Sequence, residues 1–239
     1  MTTRGIAMLA LFALIASACS SKAPGASAQA PAGSIDPANF VATIDNPFLP
    51  FKPGTSWVYD GVRDGQSLHD ELVVTNGTKK IQGVTCVVVT DVATHEGKLV
   101  EKTEDWYAQD AAGNVWYFGE ATATYDAAGN VESTDGSWEA GVDGAVAGIV
   151  MPASPKVTDS FRQEFYAGQA EDMFWVVSLD EKVDVPAGSY SSAIQTFEWT
   201  PLEPDVVDAK FYAEGIGMVR EVALAGSEEH VELTSFTAP

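Results

Sequence analysis

Apolar positions along this chain come in short clusters that break at Gly, Pro, Asn or Asp. The runs at 57–59, 72–74, 86–89, 106–107, 115–118, 174–177, 194–199, 210–212 and 218–224 are rich in β-branched and aromatic residues. Such runs, bounded by turn formers at short intervals, predict β-strands joined by hairpins. No window offers a long apolar stripe of helical period, as an amphipathic helix needs. The pattern therefore predicts a mainly β fold in a single domain, built as an antiparallel meander.

One internal echo supports the meander. Asp110-Ala-Ala-Gly113-Asn114-Val115 recurs as Asp126-Ala-Ala-Gly129-Asn130-Val131. In each copy Gly can take positive φ and Asp or Asn can bond the local backbone, so both predict tight turns between successive strands. A calcium loop is the other use of such residues. The EF-hand order of acids is missing, however, and each turn brings few oxygens.

The stretch 136–155 has neither period two nor a helical stripe and is rich in Gly and Ala. A long irregular segment inside a compact domain is commonly functional, which makes it the leading candidate for a binding loop. Trp138 can stack on a ligand, Glu139 and Asp143 can hydrogen-bond it or meet a cation, and Met151 can line an apolar wall. The alternative is a crossover that caps a barrel end, with Trp138 and Met151 filling the core. Arg162, Glu164 and Glu171 follow on two expected strands around Gly168, where a salt-bridged surface is the simpler reading. If the domain has a polar mouth, these three and Glu198 are the residues to look for there.

The start of the chain bears on where the protein works. Arg4 precedes an apolar run from residue 6 to residue 15, too short to span a bilayer as a helix and suited to the core of a signal peptide. It leads into Ala16-Ser17-Ala18-Cys19, which resembles the lipobox of bacterial lipoproteins, with Ala16 where Leu is usual. The resemblance implies cleavage after residue 18, a lipid on Cys19 and attachment to a membrane facing the periplasm or the exterior. An ordinary signal peptidase site at Ala18 or Ala28 would instead give a secreted protein. Residues 19–39 are rich in Ser, Ala, Pro and Gly and read as a tether, which if extended reaches about 60 Å. The β-rich domain then runs from 40 to 239.

Charge narrows the partners. The chain carries 34 acidic and 13 basic residues, a formal net charge of −21. Loss of the leader would remove one base and no acid. Such a surface repels phosphate backbones, which argues against nucleic acid. Cys86, in an apolar β run, reads as a buried small hydrophobe rather than a nucleophile. No G-x-S-x-G, H-E-x-x-H or Walker motif is present, and the three histidines lie far apart in sequence. No metal set or cofactor motif is legible, and catalytic residues are unknown at this level.

Two further stretches carry a resemblance. The run from Asn46-Pro47-Phe48-Leu49-Pro50 to Trp57-Val58-Tyr59 is one. The pair Val185-Pro186-Ala187-Gly188-Ser189-Tyr190 and Tyr212-Ala213-Glu214-Gly215-Ile216-Gly217-Met218-Val219 is the other. Both resemble a broad set of uncharacterised bacterial secreted β-proteins and lipoproteins. The resemblance implies an antiparallel sheet curled into a half-barrel or open barrel and assigns no substrate. Two functions then stand as expectations. One is a non-catalytic envelope lipoprotein that binds an apolar or sugar-like small ligand, or another envelope protein. The other is a hydrolase of glycans or esters using two carboxylates drawn from Glu139, Asp143, Glu164 and Glu171.

Overall fold

The structure is a computed structural model that describes residues 35–239. The expected signal peptide, Cys19 and the expected tether up to residue 34 lie outside the described residues.

After a 3-10 turn at Pro37–Asn39, capped by the Asp36 carboxylate, the chain forms β1 (Phe40–Val41), β2 (Ser56–Arg63), β3 (Gln66–Ile81), β4 (Val84–His95), β5 (Lys98–Asp110) and β6 (Val115–Tyr125). Short strands follow: β7 (Val131–Ser133), β8 (Trp138–Glu139), β9 (Val146–Met151), β10 (Ser160–Arg162) and β11 (Glu164–Phe165). The last part is β12 (Met173–Val185), β13 (Gly188–Trp199), β14 (Val207–Ala213), β15 (Gly217–Ala225) and β16 (Glu229–Thr237). Every apolar run named from the sequence falls within one of these strands. Residues 35–39, placed with the tether by composition, are structured, and Ile35 packs against the folded domain.

Thirteen strands succeed one another in the order β10-β12-β13-β14-β15-β16-β2-β3-β4-β5-β6-β9-β11, all antiparallel. The two ends of this series, β10 and β11, are separated in the chain by Gln163 alone. The sheet thus curls until its edges meet at one residue, giving a nearly closed barrel. At this seam Gly148 of β9 faces the Arg162 carbonyl so closely that any Cβ would run into it.

The stretch 136–155 is not the irregular loop its composition suggests. β8 pairs with β6 through Trp138↔Glu120, and β9 pairs with β6 through Met151↔Val115 and with β11 through Ala147↔Glu164. Its apolar residues show no period two because β9 is covered on both faces, so burial does not alternate along it.

Two cores hold the barrel. The larger contains Trp57, Tyr59, Phe174, Val219 and Leu233, each almost wholly buried. Residues 46–51 pack over the barrel end where β2 begins, with Phe51 against Trp57 (ring centroids 5.6 Å apart) and Tyr107 (4.9 Å). Asn46 pins this segment: its amide donates to the Gly113 and Pro152 carbonyls, at 2.9 and 3.2 Å. The smaller core lies on the other face of β4 to β6, where Cys86, Trp106 and Phe118 are covered by Ile35, Phe40, Ala140, Ala145 and Ala147. Burial there pushes the Cys86 thiol up to about 12, far from a reactive thiolate.

The Asp-Ala-Ala-Gly-Asn repeats are turns. The Asp110 carboxylate accepts the N–H groups of Ala112 and Asn114, both at 2.9 Å, in the β5–β6 hairpin. Asp126 accepts those of Ala128 and Asn130 at 2.8 and 2.9 Å before β7.

Candidate functional site

The feature that sets this barrel apart is the polarity of its interior. On β5 the side chains of Glu101, Thr103, Asp105 and Tyr107 point inward, while Lys102 and Glu104 face solvent. Strand alternation requires that every second residue share a face. Here the inward face is the acidic one. The same rule brings Asp70 from β3, Asp91 from β4, Glu198 from β13, Lys210 from β14 and Glu221 from β15 into the interior.

On β6 a bulge adds to the set. Asp105 is opposite Glu120 and Tyr107 is opposite Tyr117, so β6 spends one residue more than β5 across this interval. Gly119 absorbs the kink at φ +129°, and a Cβ there would collide with the Trp138 carbonyl. The bulge turns both Tyr117 and Glu120 inward. The Tyr117 hydroxyl lies 2.6 Å from Asp105 Oδ1 and 3.0 Å from Glu120 Oε2. The phenol has one proton, so it donates to one carboxyl and, when both contacts are bonds, accepts from the other as an acid.

The interior leaves three neighbouring chambers. A cavity of about 150 Å³ is bounded by Asp105, Tyr107, Tyr117, Glu120, Glu164 and Asp172. It shares Leu72, Tyr107, Val150, Gln163, Glu198 and Lys210 with a second, of about 130 Å³, whose remaining wall includes Leu49, Phe51, Trp57 and Met218. A third, narrow one of about 20 Å³ lies by Arg63, Asp70, Asp91 and Glu101. Together ten carboxyl side chains and two basic ones line them.

The two cations are already engaged. Lys210 Nζ lies 3.0 Å from Glu198 and 3.8 Å from Glu221, and Arg63 grips Glu229 through two nitrogens. Burial opposes charge on Lys210, but the two carboxylates keep it protonated. Glu198 also accepts the hydroxyls of Thr196 and Tyr212 at 3.0 Å and the Gln163 amide at 3.3 Å, so its lone pairs are well used.

Asp105, Glu120, Glu164 and Asp172 form no ion pair with a basic side chain among the described residues. Burial lifts Asp105 to about 7, with the Tyr117 bond only partly offsetting it. Burial likewise lifts Asp172 to about 7 despite Lys210, and Glu101 to about 8 despite Arg63. Glu120 and Glu164 are pushed well above the usual carboxylate range, by burial first and by neighbouring acids second. Asp172 is buried and its Oδ1 has no hydrogen-bond partner.

Of the residues singled out from the sequence, Glu164 and Glu198 line the cavity. Trp138 is 4% exposed, edge-on to Tyr117 at 5.3 Å, and its indole N–H has no partner. Met151 is wholly buried in the larger core. Glu139 is half-buried and pairs with Lys79 at 2.8 Å, while Lys79 sits over the Trp106 ring. Arg162 is half-buried, with its guanidinium 4.2 Å from the Phe165 ring centre. Asp143 is exposed in a turn at φ +49°. Glu171 is half-buried and accepts the Gly168 N–H at 2.8 Å. Glu139, Asp143, Glu164 and Glu171 are therefore not gathered in one cleft, because three of them sit outside the chambers that Glu164 lines. Asp70, Asp91, Glu101, Asp105, Glu120, Asp172, Lys210 and Glu221 went unnoticed in the sequence. The one available signal is acid or Lys at alternate positions of strands, and an exposed strand face carries the same signal.

No family model and no curated protein matches the chain. Among solved structures, a candidate exported protein with a YmcC-like fold from Bacteroides fragilis aligns with 78% of this chain and 97% of its own, at 16% identity and a TM-score of 0.44. A candidate lipoprotein from Parabacteroides distasonis aligns with 80% of this chain and 99% of its own, at 13% identity and a TM-score of 0.44.

Proposed function

We propose that this is an exported envelope lipoprotein, anchored through Cys19, that holds a small ligand inside its barrel without transforming it. The observation that carries the reading is the cavity bounded by Tyr107, Tyr117 and buried carboxyls, of which Asp172 has an unpartnered oxygen, next to a chamber walled by Phe51 and Trp57. Concave sites with an apolar wall and a few convergent polar groups are the usual form of ligand pockets. Filling one water site takes about 10–15 Å³ of such space, so the larger chamber accepts roughly ten non-hydrogen atoms. The lipobox-like Ala16-Ser17-Ala18-Cys19 supports the anchor.

Native mass spectrometry of the full chain, extracted with its surrounding lipid from its own host, tests the binding role. A retained small molecule is expected, and Val150→Trp, which fills the junction of the two chambers, should abolish its retention. Equal retention by the variant, or nothing retained by wild type, overturns lumenal binding. Cys19→Ala should leave the membrane fraction or remain uncleaved, and unlipidated wild type in the medium overturns the anchor.

A further inference from the structure

Apart from Glu198, which pairs with Lys210, the buried acids that bound the larger chamber have no ion-pair partner among the described residues. Among the described residues no basic side chain forms an ion pair with Asp105, Glu120, Glu164 or Asp172, whereas Lys210 and Arg63 are each committed to other acids. Buried carboxyls are ordinarily paired or fully hydrogen-bonded. Asp172, 7% exposed and with Oδ1 unpartnered, lines the chamber without either. Beside it, Tyr107 and Tyr117 stack with centroids 4.8 Å apart, and both line the same space.

We infer that the ligand is an amphiphilic organic cation: its ammonium head sits among Asp105, Glu120 and Asp172, and its apolar part lies against Phe51 and Trp57. This rests on the lumenal binding proposed above and names its ligand class. A metal ion is a poorer fit. It needs oxygens converging at 2.0–2.6 Å, and among the described residues no three acid, His or Cys side chains are so arranged. An alkylammonium has three N–H donors that reach acceptors at about 2.7–2.9 Å, so it bridges acids that are more widely spaced. The tyrosine ring adds attraction that an anion or a neutral molecule does not receive. An anion gains no ion pair from these carboxyls and would make their ionisation still more costly.

Calorimetric titration of the full chain in zwitterionic nanodiscs, with empty discs subtracted, tests the inference with three probes of one length: hexylammonium, 1-hexanol and hexanoate. Hexylammonium should bind at least tenfold more tightly than 1-hexanol, and hexanoate should not bind. Asp172→Asn should erase the preference for the amine, and Glu164→Gln should weaken it should the first variant fold poorly. Glu104→Gln, on the solvent face of β5, should keep it. Equal binding of 1-hexanol and hexylammonium overturns the cationic ligand and leaves lumenal binding standing. Absence of binding by all three overturns the cationic ligand, while the native mass spectrum still decides lumenal binding. A preference that survives both Asp172→Asn and Glu164→Gln also overturns the assignment.

Discussion

Tyr117 places its hydroxyl 2.6 Å from Oδ1 of Asp105, two side chains brought face to face because β6 bulges at Gly119 and β5 does not. The same hydroxyl reaches Glu120 at 3.0 Å, so one phenol links two buried acids from neighbouring strands. Burial also drives the Tyr117 pKa well up, ahead of the repulsion from Asp105 and Glu120. The group that holds the acids apart is thus neutral, and a proton shared across the trio is part of the folded state.

Tyr117→Phe should therefore destabilise at pH 7. It removes a bond to each acid while preserving the ring against Tyr107 and Trp138. A buried polar group left without a partner costs about 1–3 kcal/mol, and urea denaturation should show a loss in that range with an unchanged slope. A midpoint equal to wild type would mean that the hydroxyl contacts contribute nothing.

The barrel should be more stable in mild acid than in mild base. Asp105 and Asp172 are lifted to about 7, and Glu101 and Glu221 to about 8, all chiefly by burial. Their unfolded values are about 4. A folded pKa above the unfolded one means that the native state binds the proton more tightly. The resulting stability is fully present below about pH 4 and is lost as pH rises through about 7 to 8. The Tm at pH 5 should exceed that at pH 8.5 by roughly 5 °C or more, in high salt as well, where general surface repulsion is screened. Asp105→Asn should shrink the difference. A Tm that climbs from pH 5 to 8.5 would show that these acids are charged and satisfied in the fold.

The strands were readable from the sequence because aromatic and β-branched clusters such as 115–118 and 194–199 mark sheet whichever way they face. The barrel's inside was not. Along β5, Glu101, Thr103 and Asp105 alternate with Lys102 and Glu104, and two polar faces give no sign of which is buried. β16 escaped notice because Glu229, Glu232 and Ser235 dilute its apolar positions, and its pairing with β2 is set by partners far away in sequence. Segment 136–155 misled in the opposite direction: β9 lacks alternation because it is sandwiched, and only its pairing with β6 and β11 makes it a strand. Glu164 and Glu198 were candidates for a polar mouth, but the other charged residues of the chambers share a site only once β3, β4, β5, β6, β14 and β15 have curled around it.

Lys210 anchors the interior electrostatically. Lys210→Met removes the charge within 3.0 Å of Glu198 and 3.8 Å of Glu221 while keeping an unbranched stem in place. Breaking a buried pair from one side costs about 3–5 kcal/mol, because the remaining carboxylates must stay charged without a partner or take up protons. The loss should be largest at pH 8.5 and should diminish at pH 5, where protonation relieves it. Chemical denaturation at both pH values checks this, and a pH-independent loss would point to packing instead.

Trp138 is the position at which sequence and structure are tested most directly against one another. As an exposed loop residue it would tolerate truncation within about 0.5 kcal/mol. It is instead 4% exposed, opposite Glu120 on β8, with its ring edge-on to Tyr117. Trp138→Ala should then cost about 3–5 kcal/mol, the range for large aromatics deleted from cores. Its cavity would open beside Glu164, which loses the indole that faces it. Glu139, the next residue, points the other way and meets Lys79 near the surface, so Glu139→Gln should stay within about 0.5 kcal/mol. Denaturation curves for the two variants side by side separate a buried wedge from a solvent-facing neighbour. A midpoint near wild type for Trp138→Ala would return the tryptophan to the ligand-contacting role that its sequence context suggests.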